Sequence, residues 1–254
     1  FNGYQGIVPG CPAGNLKEWE AYWNSGKMWI TRAMLEGDLK PSPELAEILY
    51  FCTTCGNCQV QCENAIPTVE VIELLRAVCV EAGVPMLPRH EAIHESVRVN
   101  NNPYLERHED RTSWYAGKKD EEAEVGYFVG CTCSYRVSSI AKATAGLLEK
   151  AGINFTVLTS EVCCGSPFLR IGQVETVRKL MKKNFEAFQK AGVKTLIFSC
   201  AGCYRTFKVD YPKYVEENPF QIKLVTEVIY DLLQRGVIKP KKEFRKKVTW
   251  HDPC

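Results

Sequence analysis

A run of four closely spaced cysteines places the strongest restriction on the structure of this chain. The pattern is Cys52-x2-Cys55-x2-Cys58-x3-Cys62, which is typical of loops that bind [4Fe–4S] clusters. Two-residue gaps allow one loop to present three thiolates to a cube of iron and sulfide, and such clusters need soft anionic ligands. A zinc site is the alternative, although zinc sites with four cysteines usually use two separate C-x-x-C pairs. The run therefore favours an iron–sulfur site.

The upstream residue Cys11, which precedes Pro12, is the expected partner of this run. In sequences with two cubane clusters, the fourth cysteine of each run binds the other cluster. Cys11 looks like the fourth cysteine of such an upstream run. We therefore assign Cys11, Cys52, Cys55 and Cys58 to one cubane, and we expect Cys62 to bind a second one.

Composition favours metal binding in a reducing compartment. Cysteine accounts for 13 of 254 residues, the count is odd, and the chain has no signal peptide, so a secreted disulfide scaffold is not expected. The formal net charge of +2 argues against a nucleic-acid partner. No apolar run approaches the roughly 18 residues of a membrane span. We therefore expect a chain that is either soluble or attached to a membrane through a partner.

Residue patterning predicts a helical part followed by an α/β part. Residues 1–95 are expected to form an all-helical domain, and the polar residues 96–124 a linker. Strands and helices then alternate over residues 125–240, which predicts a parallel sheet covered by helices. The expected helices are Leu16–Leu35, one beginning at Pro43, Thr68–Ala82, Val137–Ala151, Val174–Ala191 and Leu224–Leu233. The expected strands are Val125–Val129, Phe155–Leu158, Thr195–Ser199 and Val248–Trp250.

A second group of five cysteines lies in the α/β part: Cys131, the adjacent Cys163 and Cys164, Cys200 and Cys203. Each of them follows a predicted strand. Ligands in open parallel sheets gather at the carboxyl edge of the strands, so we expect the five thiols to converge. Five sulfurs exceed the four ligands of tetrahedral zinc. Adjacent cysteines suit a larger, open cluster, in which one thiolate bridges two irons, better than a single cubane.

The spacing of this second group resembles the CCG domain of the heterodisulfide reductase family. In this chain 31 residues separate Cys131 from Cys163, and 35 separate Cys164 from Cys200. Similar proteins include the iron–sulfur subunits of anaerobic glycerol-3-phosphate and lactate oxidoreductases. The resemblance implies an N-terminal helical ferredoxin-like domain with cubane clusters, followed by a parallel-sheet α/β CCG domain. It also implies that the five cysteines bind a noncubane [4Fe–4S] cluster.

The end of the chain resembles the opening of a second CCG motif. This segment reads His251-Asp252-Pro253-Cys254. We therefore expect Cys254 to be the first ligand of that motif, and residues 241–254 to begin a second lobe. On this interpretation both ends of the chain are cuts in a longer protein.

The resemblance implies one of two functions. In the first, electrons pass from the cubanes to the noncubane cluster, where a heterodisulfide or a protein-bound disulfide or trisulfide is reduced in anaerobic energy metabolism. In the second, the protein relays electrons from a dehydrogenase of the glycerol-3-phosphate or lactate type to a quinone or haem partner. Both hypotheses imply other electron-transfer subunits and a membrane-bound cytochrome or quinone-interacting subunit. The ligand spacing does not separate them.

Several cysteines and histidines are interpreted without a ligand role. Cys79 lies on the apolar face of its predicted helix and is expected in the core, and Cys133 is expected to be a bystander near the cluster. His90, His94 and His108, which lie in or just before the predicted linker, are expected at the surface. His251 is expected to make a simple loop hydrogen bond, with proton donation to a thiolate product as the alternative.

Overall fold

The N-terminal part of the chain consists of helices whose starts follow the local sequence. The structure, a computed structural model, describes residues 10–249. Ser42 accepts a hydrogen bond from the amide of Leu45, and Pro43 occupies the first helical position, as expected for this pair at a helix start. The helices of this part are α1 (Pro12–Lys17), α2 (Asn24–Glu36), α3 (Pro43–Tyr50), α4 (Asn57–Val60) and α5 (Thr68–Glu81).

The helix expected over Leu16–Leu35 is broken in the structure. Helix α1 ends at Lys17, because Glu18 adopts a left-handed conformation with φ of 57°. A short 3-10 helix, Glu20–Tyr22, then leads into α2. The chain turns back tightly here: a Cβ added at Gly14 would fall 2.3 Å from the ring of Trp23. The apolar spacing predicted helical residues on both sides of this turn, in α1 and α2, but it did not predict the turn itself.

Helices α3 and α5 share the core of the N-terminal part. Leu45, Leu49, Leu75 and Cys79 form one buried cluster. Cys79 is 1% exposed, which agrees with its expected place in the core rather than among the ligands. The apolar faces of both helices therefore form this core, and the cysteine run lies in the segment between them, with Cys58 in the short helix α4.

The C-terminal part contains a parallel sheet with the order β2-β1-β3-β4. The strands are β1 (Val125–Phe128), β2 (Phe155–Thr156), β3 (Thr195–Phe198) and β4 (Gln221–Leu224). Strand β1 pairs with β2 and β3 in parallel, with Val125 opposite both Phe155 and Thr195. The expected α/β architecture is thereby confirmed, and three of the expected strands are present.

The fourth strand differs from the expectation. Strand β4 pairs with β3 at the edge of the sheet, although its alternating Gln-Ile-Lys-Leu sequence was not identified as a strand. Val248 and Thr249, expected to begin a strand, are not in one. Trp250, His251 and Cys254 lie outside the described residues. An exposed edge strand buries little of its surface, so its apolar pattern is weak.

Helices cover both faces of the sheet. On one face, side chains of α8 (Ser138–Lys150) and α12 (Val225–Gln234) pack with Tyr127 and Ile197. On the other face, Phe128 lies 5.9 Å from Phe188 of α10 (Val174–Lys190), measured between ring centroids. Neighbouring residues of β1 thus serve opposite faces, as strand geometry requires.

Further helices lie between these elements. They are α6 (Pro88–Asn100) and the shorter α7 (Gly130–Tyr135), α9 (Ser166–Arg170) and α11 (Ala201–Arg205), with 3-10 helices over His108–Thr112 and Tyr211–Lys213 and a π-helix over Thr206–Asp210. Within residues 10–249, no helix combines the length and the apolar character needed to cross a membrane.

The chain divides into two compact units that do not follow the expected domain boundaries. The first unit runs to Pro88 and includes Pro167–Val174, and the second comprises Arg89–Ser166 and Glu175–Lys247. Residues 96–124, expected to be a linker, therefore belong to the second unit, where Arg111 is 1% and Trp114 is 8% exposed. The polar composition of this segment is compatible with burial because its charged groups find partners in the fold.

Candidate functional site

Five cysteines gather at the carboxyl edge of the sheet. Cys131 is the second residue of α7, directly after β1, and Cys200 and Cys203 follow β3. Cys163 and Cys164 lie in the loop that follows β2. Because β1 lies between β2 and β3 in a parallel sheet, the three strands end next to each other. The topology therefore brings residues far apart in sequence to one place.

The five thiols form a contiguous series at this edge. In spatial order the series runs from Cys131 to Cys163, then to Cys164, Cys203 and finally Cys200. Cys131, Cys163, Cys164 and Cys203 are buried, and Cys200 is partly exposed. The structure thus brings together all five cysteines that the sequence placed in the second group.

Neighbouring members of this series have pKa values shifted in opposite directions. The pKa of Cys164 lies well below its ordinary value, because its sulfur shares the protons of Cys163 and Cys203. The pKa of Cys200 is lowered to about 6, because it also shares the proton of Cys203. The pKa of Cys163 is raised well above its ordinary value, because its proton is shared with Cys131 and Cys164. Metal loading would release these protons, because cysteines bind metals as thiolates.

The donor set suits an iron–sulfur cluster. Buried, reduced thiols are soft ligands, and the backbone leaves them room: a Cβ added at Gly130 would fall 2.8 Å from the sulfur of Cys203. In the part of the chain that the structure describes, no three His, Cys, Asp or Glu side chains surround a point that would hold a single metal ion. A cluster has no such requirement, because its cysteine thiolates bind different iron atoms rather than one ion.

A buried ion pair, absent from the sequence analysis, lies beside Cys131. The guanidinium of Arg111 contacts Glu161 at 2.6 Å and donates to the sulfur of Cys131 at 3.6 Å. Burial alone would lower the pKa of Arg111, but the charges of Cys131 and Glu161 raise it well above its ordinary value. Arg111 is thus a permanent cation in contact with one of the five cysteines.

Two further side chains hold the backbone of Cys163 and Cys164. The amide nitrogen of Asn184 donates to the carbonyl of Cys163 at 3.3 Å, and its oxygen accepts from the amide of Val162 at 3.0 Å. The hydroxyl of Tyr211 donates to the carbonyl of Cys164 at 2.7 Å. The sequence could have identified Asn184 as a buried polar residue, because it occupies a core position in the apolar repeat of α10.

Three cysteines of the first group, Cys11, Cys52 and Cys58, lie near a buried lysine, whereas Cys55 is exposed. Lys27 is 1% exposed, and it donates hydrogen bonds to the carbonyl oxygens of Tyr22 and Trp23. Burial lowers its pKa, while the nearby thiols of Cys52, Cys11 and Cys58 act in the opposite direction. The structure therefore places Cys11 beside two cysteines of the run, although about forty residues separate them in sequence.

The loop that carries the run is shaped by left-handed residues. Thr54 has φ of 53° and Gly56 has φ of 78°, so the chain turns sharply between the cysteines. The amide of Thr54 donates to the sulfur of Cys52 at 3.4 Å, and the sulfur of Cys58 lies 3.0 Å from the hydroxyl of Thr68. Cys55 lies at the exposed tip of this loop.

Arg76 holds the backbone at the start of this loop through hydrogen bonds. Its guanidinium donates to the carbonyls of Leu49 and Cys52 and to that of Arg170, within the first unit. Burial lowers the pKa of Arg76, and the thiol of Cys52 opposes this shift. One buried side chain thus holds the backbone of a predicted ligand in place.

The remaining cysteines take varied positions. Cys62, the expected ligand of a second cubane, follows α4 and is partly exposed. Cys133 is 3% exposed, and it accepts a hydrogen bond from Ser199 at 3.7 Å. It packs in the core of the second unit, in keeping with its expected role as a bystander.

Comparisons with known proteins agree with this geometry. Residues 125–208 match the model of a family described as "CCG: Cysteine-rich domain". The chain is 38% identical to a subunit of the dihydromethanophenazine:CoB–CoM heterodisulfide reductase of Methanosarcina barkeri, over 98% of this chain and 63% of that protein. It is 33% identical to a subunit of the fumarate reductase (CoM/CoB) of Methanothermobacter marburgensis, over 82% of this chain and 41% of that protein.

A third similar protein is the EtfAB:quinone oxidoreductase of Syntrophomonas wolfei, at 28% identity over 82% of this chain and 31% of that protein. The chain therefore spans less than two thirds of the length of these relatives. No solved structure matches it. The matched cysteine-rich segment contains all five thiols of the second group, and the similarity to the heterodisulfide reductase protein extends over nearly the whole chain. The chain belongs to the family of CCG-domain iron–sulfur oxidoreductases that includes this heterodisulfide reductase protein.

Proposed function

We propose that this chain is the iron–sulfur subunit of a disulfide reductase of the heterodisulfide reductase type. In the proposal, Cys11, Cys52, Cys55 and Cys58 hold a cubane cluster, and Cys62 serves a second one. The five cysteines at the sheet edge hold a noncubane [4Fe–4S] cluster. The contiguous chain of five thiols from three strand ends is the observation that carries the proposal.

When bound, such clusters supply one-electron transfer at potentials that the protein sets. Reduction of a disulfide takes two electrons and two protons and yields two thiols. The part of this chain is to hold the thiolates, to exclude water and to leave one side open. Cys200 is the partly exposed member of the group, and Ala201 and Gly202 beside it are exposed. We expect the substrate sulfur to approach from this side.

The test is disulfide-dependent oxidation of a reduced dye by the intact, anaerobically purified protein. We expect a dithionite-reduced viologen to be oxidised when a heterodisulfide is added. Cys164→Ser should abolish this activity and the iron of the second group, while the first group keeps its iron, because the two groups lie in different units. Cys79→Ala, at a buried cysteine without a ligand role, is the control and should keep both. Stoichiometric zinc without labile sulfide in the unmodified protein would contradict the proposal.

The second candidate is an electron relay to a quinone or haem partner. It is supported by the names of the relatives, one of which is called a quinone oxidoreductase and another a fumarate reductase component. The same experiment separates the candidates. Oxidation of the dye by a quinone analogue, with no response to any disulfide, would favour the relay.

The proposal includes a membrane partner. The relative from Methanosarcina barkeri is named as one subunit of a larger enzyme, which supports an assembly of several electron-transfer subunits. We infer that the chain is cytoplasmic and reaches the membrane through a cytochrome or quinone-interacting subunit. Isolation of the native complex in detergent should yield a haem or quinone component in stoichiometric amount, and a homogeneous chain without either would contradict this part.

A further inference from the structure

Arg111 and Glu161 are charged residues with almost no access to solvent. The side chain of each is 1% exposed, and 50 residues separate them in sequence. The guanidinium contacts the carboxylate twice, from Nη2 at 2.6 Å and from Nε at 3.1 Å. Burying such a pair is costly, and apolar residues of similar size often serve stability equally well. A gain in stability therefore does not explain why this ion pair is buried.

The guanidinium also reaches the five-cysteine site directly. Nη1 and Nη2 of Arg111 lie 3.6 Å and 3.7 Å from the sulfur of Cys131. Nη2 also donates to the carbonyl of Val162, the residue before Cys163, at 3.3 Å. One side chain therefore connects the end of β1 to the loop that carries the adjacent cysteines.

The carboxylate of Glu161 holds the same region from the backbone side. It accepts the amide of Val129 at 2.8 Å and the amide of Gly130 at 2.9 Å. These are the amides of the two residues that precede Cys131. Arg111 therefore acts on the sulfur of Cys131 while Glu161 acts on the backbone that leads to it, and the ion pair links the two contacts.

The charges around the site give this arrangement an electrostatic consequence. Each thiolate brings one negative charge, and adding an electron to a bound cluster adds another. A buried cation interacts strongly with such charge, because the surroundings screen it poorly. The guanidinium is the charge in contact with the sulfur of Cys131, whereas Glu161 contacts the guanidinium and two backbone amides. The nearer positive charge therefore favours the more reduced state, and the carboxylate offsets part of this effect.

We propose that Arg111, anchored by Glu161, is a positioning residue that fixes Cys131 and raises the reduction potential of the cluster held by the five cysteines. The inference rests on the proposed iron–sulfur function, but not on the identity of the substrate. It assigns to Arg111 no contact with the substrate and no transfer of a proton. Its effect is to make the second group a better electron acceptor than the same thiols would be without the cation.

The test is a redox titration of the intact, iron-loaded protein, followed by electron paramagnetic resonance. The double variant Arg111→Met/Glu161→Gln removes both charges together, and the single oxygen of its glutamine can still accept from one of the two backbone amides. Its second-group signal should appear at a more negative potential than in the unmodified protein, whereas the signal of the first group should not move. Arg111→Lys keeps the charge and should keep the potential close to the original.

Arg107→Met is the matched control. Arg107 lies four residues earlier, its side chain is 75% exposed, and it pairs with Asp110 at the surface. Its removal should leave both signals unchanged. An unshifted potential in an iron-loaded double variant would overturn the inference, and so would an Arg111→Lys protein whose potential falls or whose second-group iron is lost.

If the double variant does not hold iron, the reduction potential and the second-group iron content of Arg111→Lys test the inference instead. Iron content of the unmodified protein is measured first. Absence of iron from the second group would overturn the proposed function and this inference together. A loaded protein that reduces no disulfide would overturn the reductase function, while the titration would still decide the role of Arg111.

Discussion

At the scale of single residues, each cysteine group is held by a buried arginine. Arg76 is 4% and Arg111 is 1% exposed. Arg76 donates to the carbonyl of Cys52, and Arg111 donates to the sulfur of Cys131. A guanidinium has five donors in a rigid fork, so one side chain can hold several acceptors of a loop at once. Lysine lacks this fork, so a lysine at either position would keep the charge but make fewer of these contacts.

Tyr211 offers a test of backbone support at the same scale. Burial raises its pKa well above the ordinary value, so its hydroxyl stays protonated and can donate to the carbonyl of Cys164. Tyr211→Phe removes this hydrogen bond and should lower the free energy of unfolding by about 1–2 kcal/mol. Tyr230→Phe, at a residue that is 62% exposed, should change it little. Equal stability of both variants in urea denaturation would contradict the role of this bond.

At the scale of elements, the turn from β1 into α7 brings Cys131 to the site. Gly130 begins α7 with φ of 75°, and a Cβ there would fall 2.8 Å from the sulfur of Cys203. The backbone of one strand end thereby touches the cysteine that follows another strand. A residue with a side chain would meet both a conformational penalty and a steric conflict at the site.

Two alanine substitutions separate these effects. Gly152 has φ of 71° and open space around its Cα, so Gly152→Ala carries only the conformational penalty, about 1–2 kcal/mol. Gly130→Ala carries the same penalty and also displaces Cys203. We expect Gly152→Ala to lower the melting temperature but to keep its iron, and Gly130→Ala to lose iron from the second group. Equal iron content in both variants would argue against the close approach.

At the scale of the whole molecule, the chain passes through its first unit more than once. After Pro88 it builds much of the second unit, and Pro167–Val174 then contributes to the first. Within the first unit, the hydroxyl of Tyr50 donates to the carbonyl of Ile171 at 3.0 Å, and Arg170 pairs with Glu73. A segment that begins three residues after Cys164 thus completes the unit that carries the other cysteine group.

A fragment of residues 1–95 tests this contribution. It contains the whole run of cysteines but lacks Arg170 and Ile171, so Arg76, Glu73 and Tyr50 each lose a partner. We expect its helices to melt at a lower temperature than those of the first unit in the full chain, and its iron content after reconstitution to be lower. Circular dichroism and iron analysis measure both. A fragment as stable and as well loaded as the full chain would show that Pro167–Val174 is dispensable.

The sequence by itself determined the fold class and the identity of the candidate ligands. The change from helical spacing to alternating strands and helices predicted the architecture that the structure confirms. The cysteines were recognisable because thiolate chemistry depends on residue type and on short, regular gaps. Their assignment as ligands stays a prediction, although the structure brings Cys131, Cys163, Cys164, Cys200 and Cys203 into one contiguous series of thiols.

Only the tertiary structure decided which residues support those cysteines. Arg111 lies in a segment whose polar composition predicted a linker, and its partner Glu161 is 50 residues away. Tyr211 and Cys164 are 47 residues apart. A buried polar residue has the same local sequence signature as an exposed one, because burial depends on what the fold places against it. Ligand identity is a property of single residues, whereas charge pairing and backbone support are properties of pairs that meet only after the chain has folded.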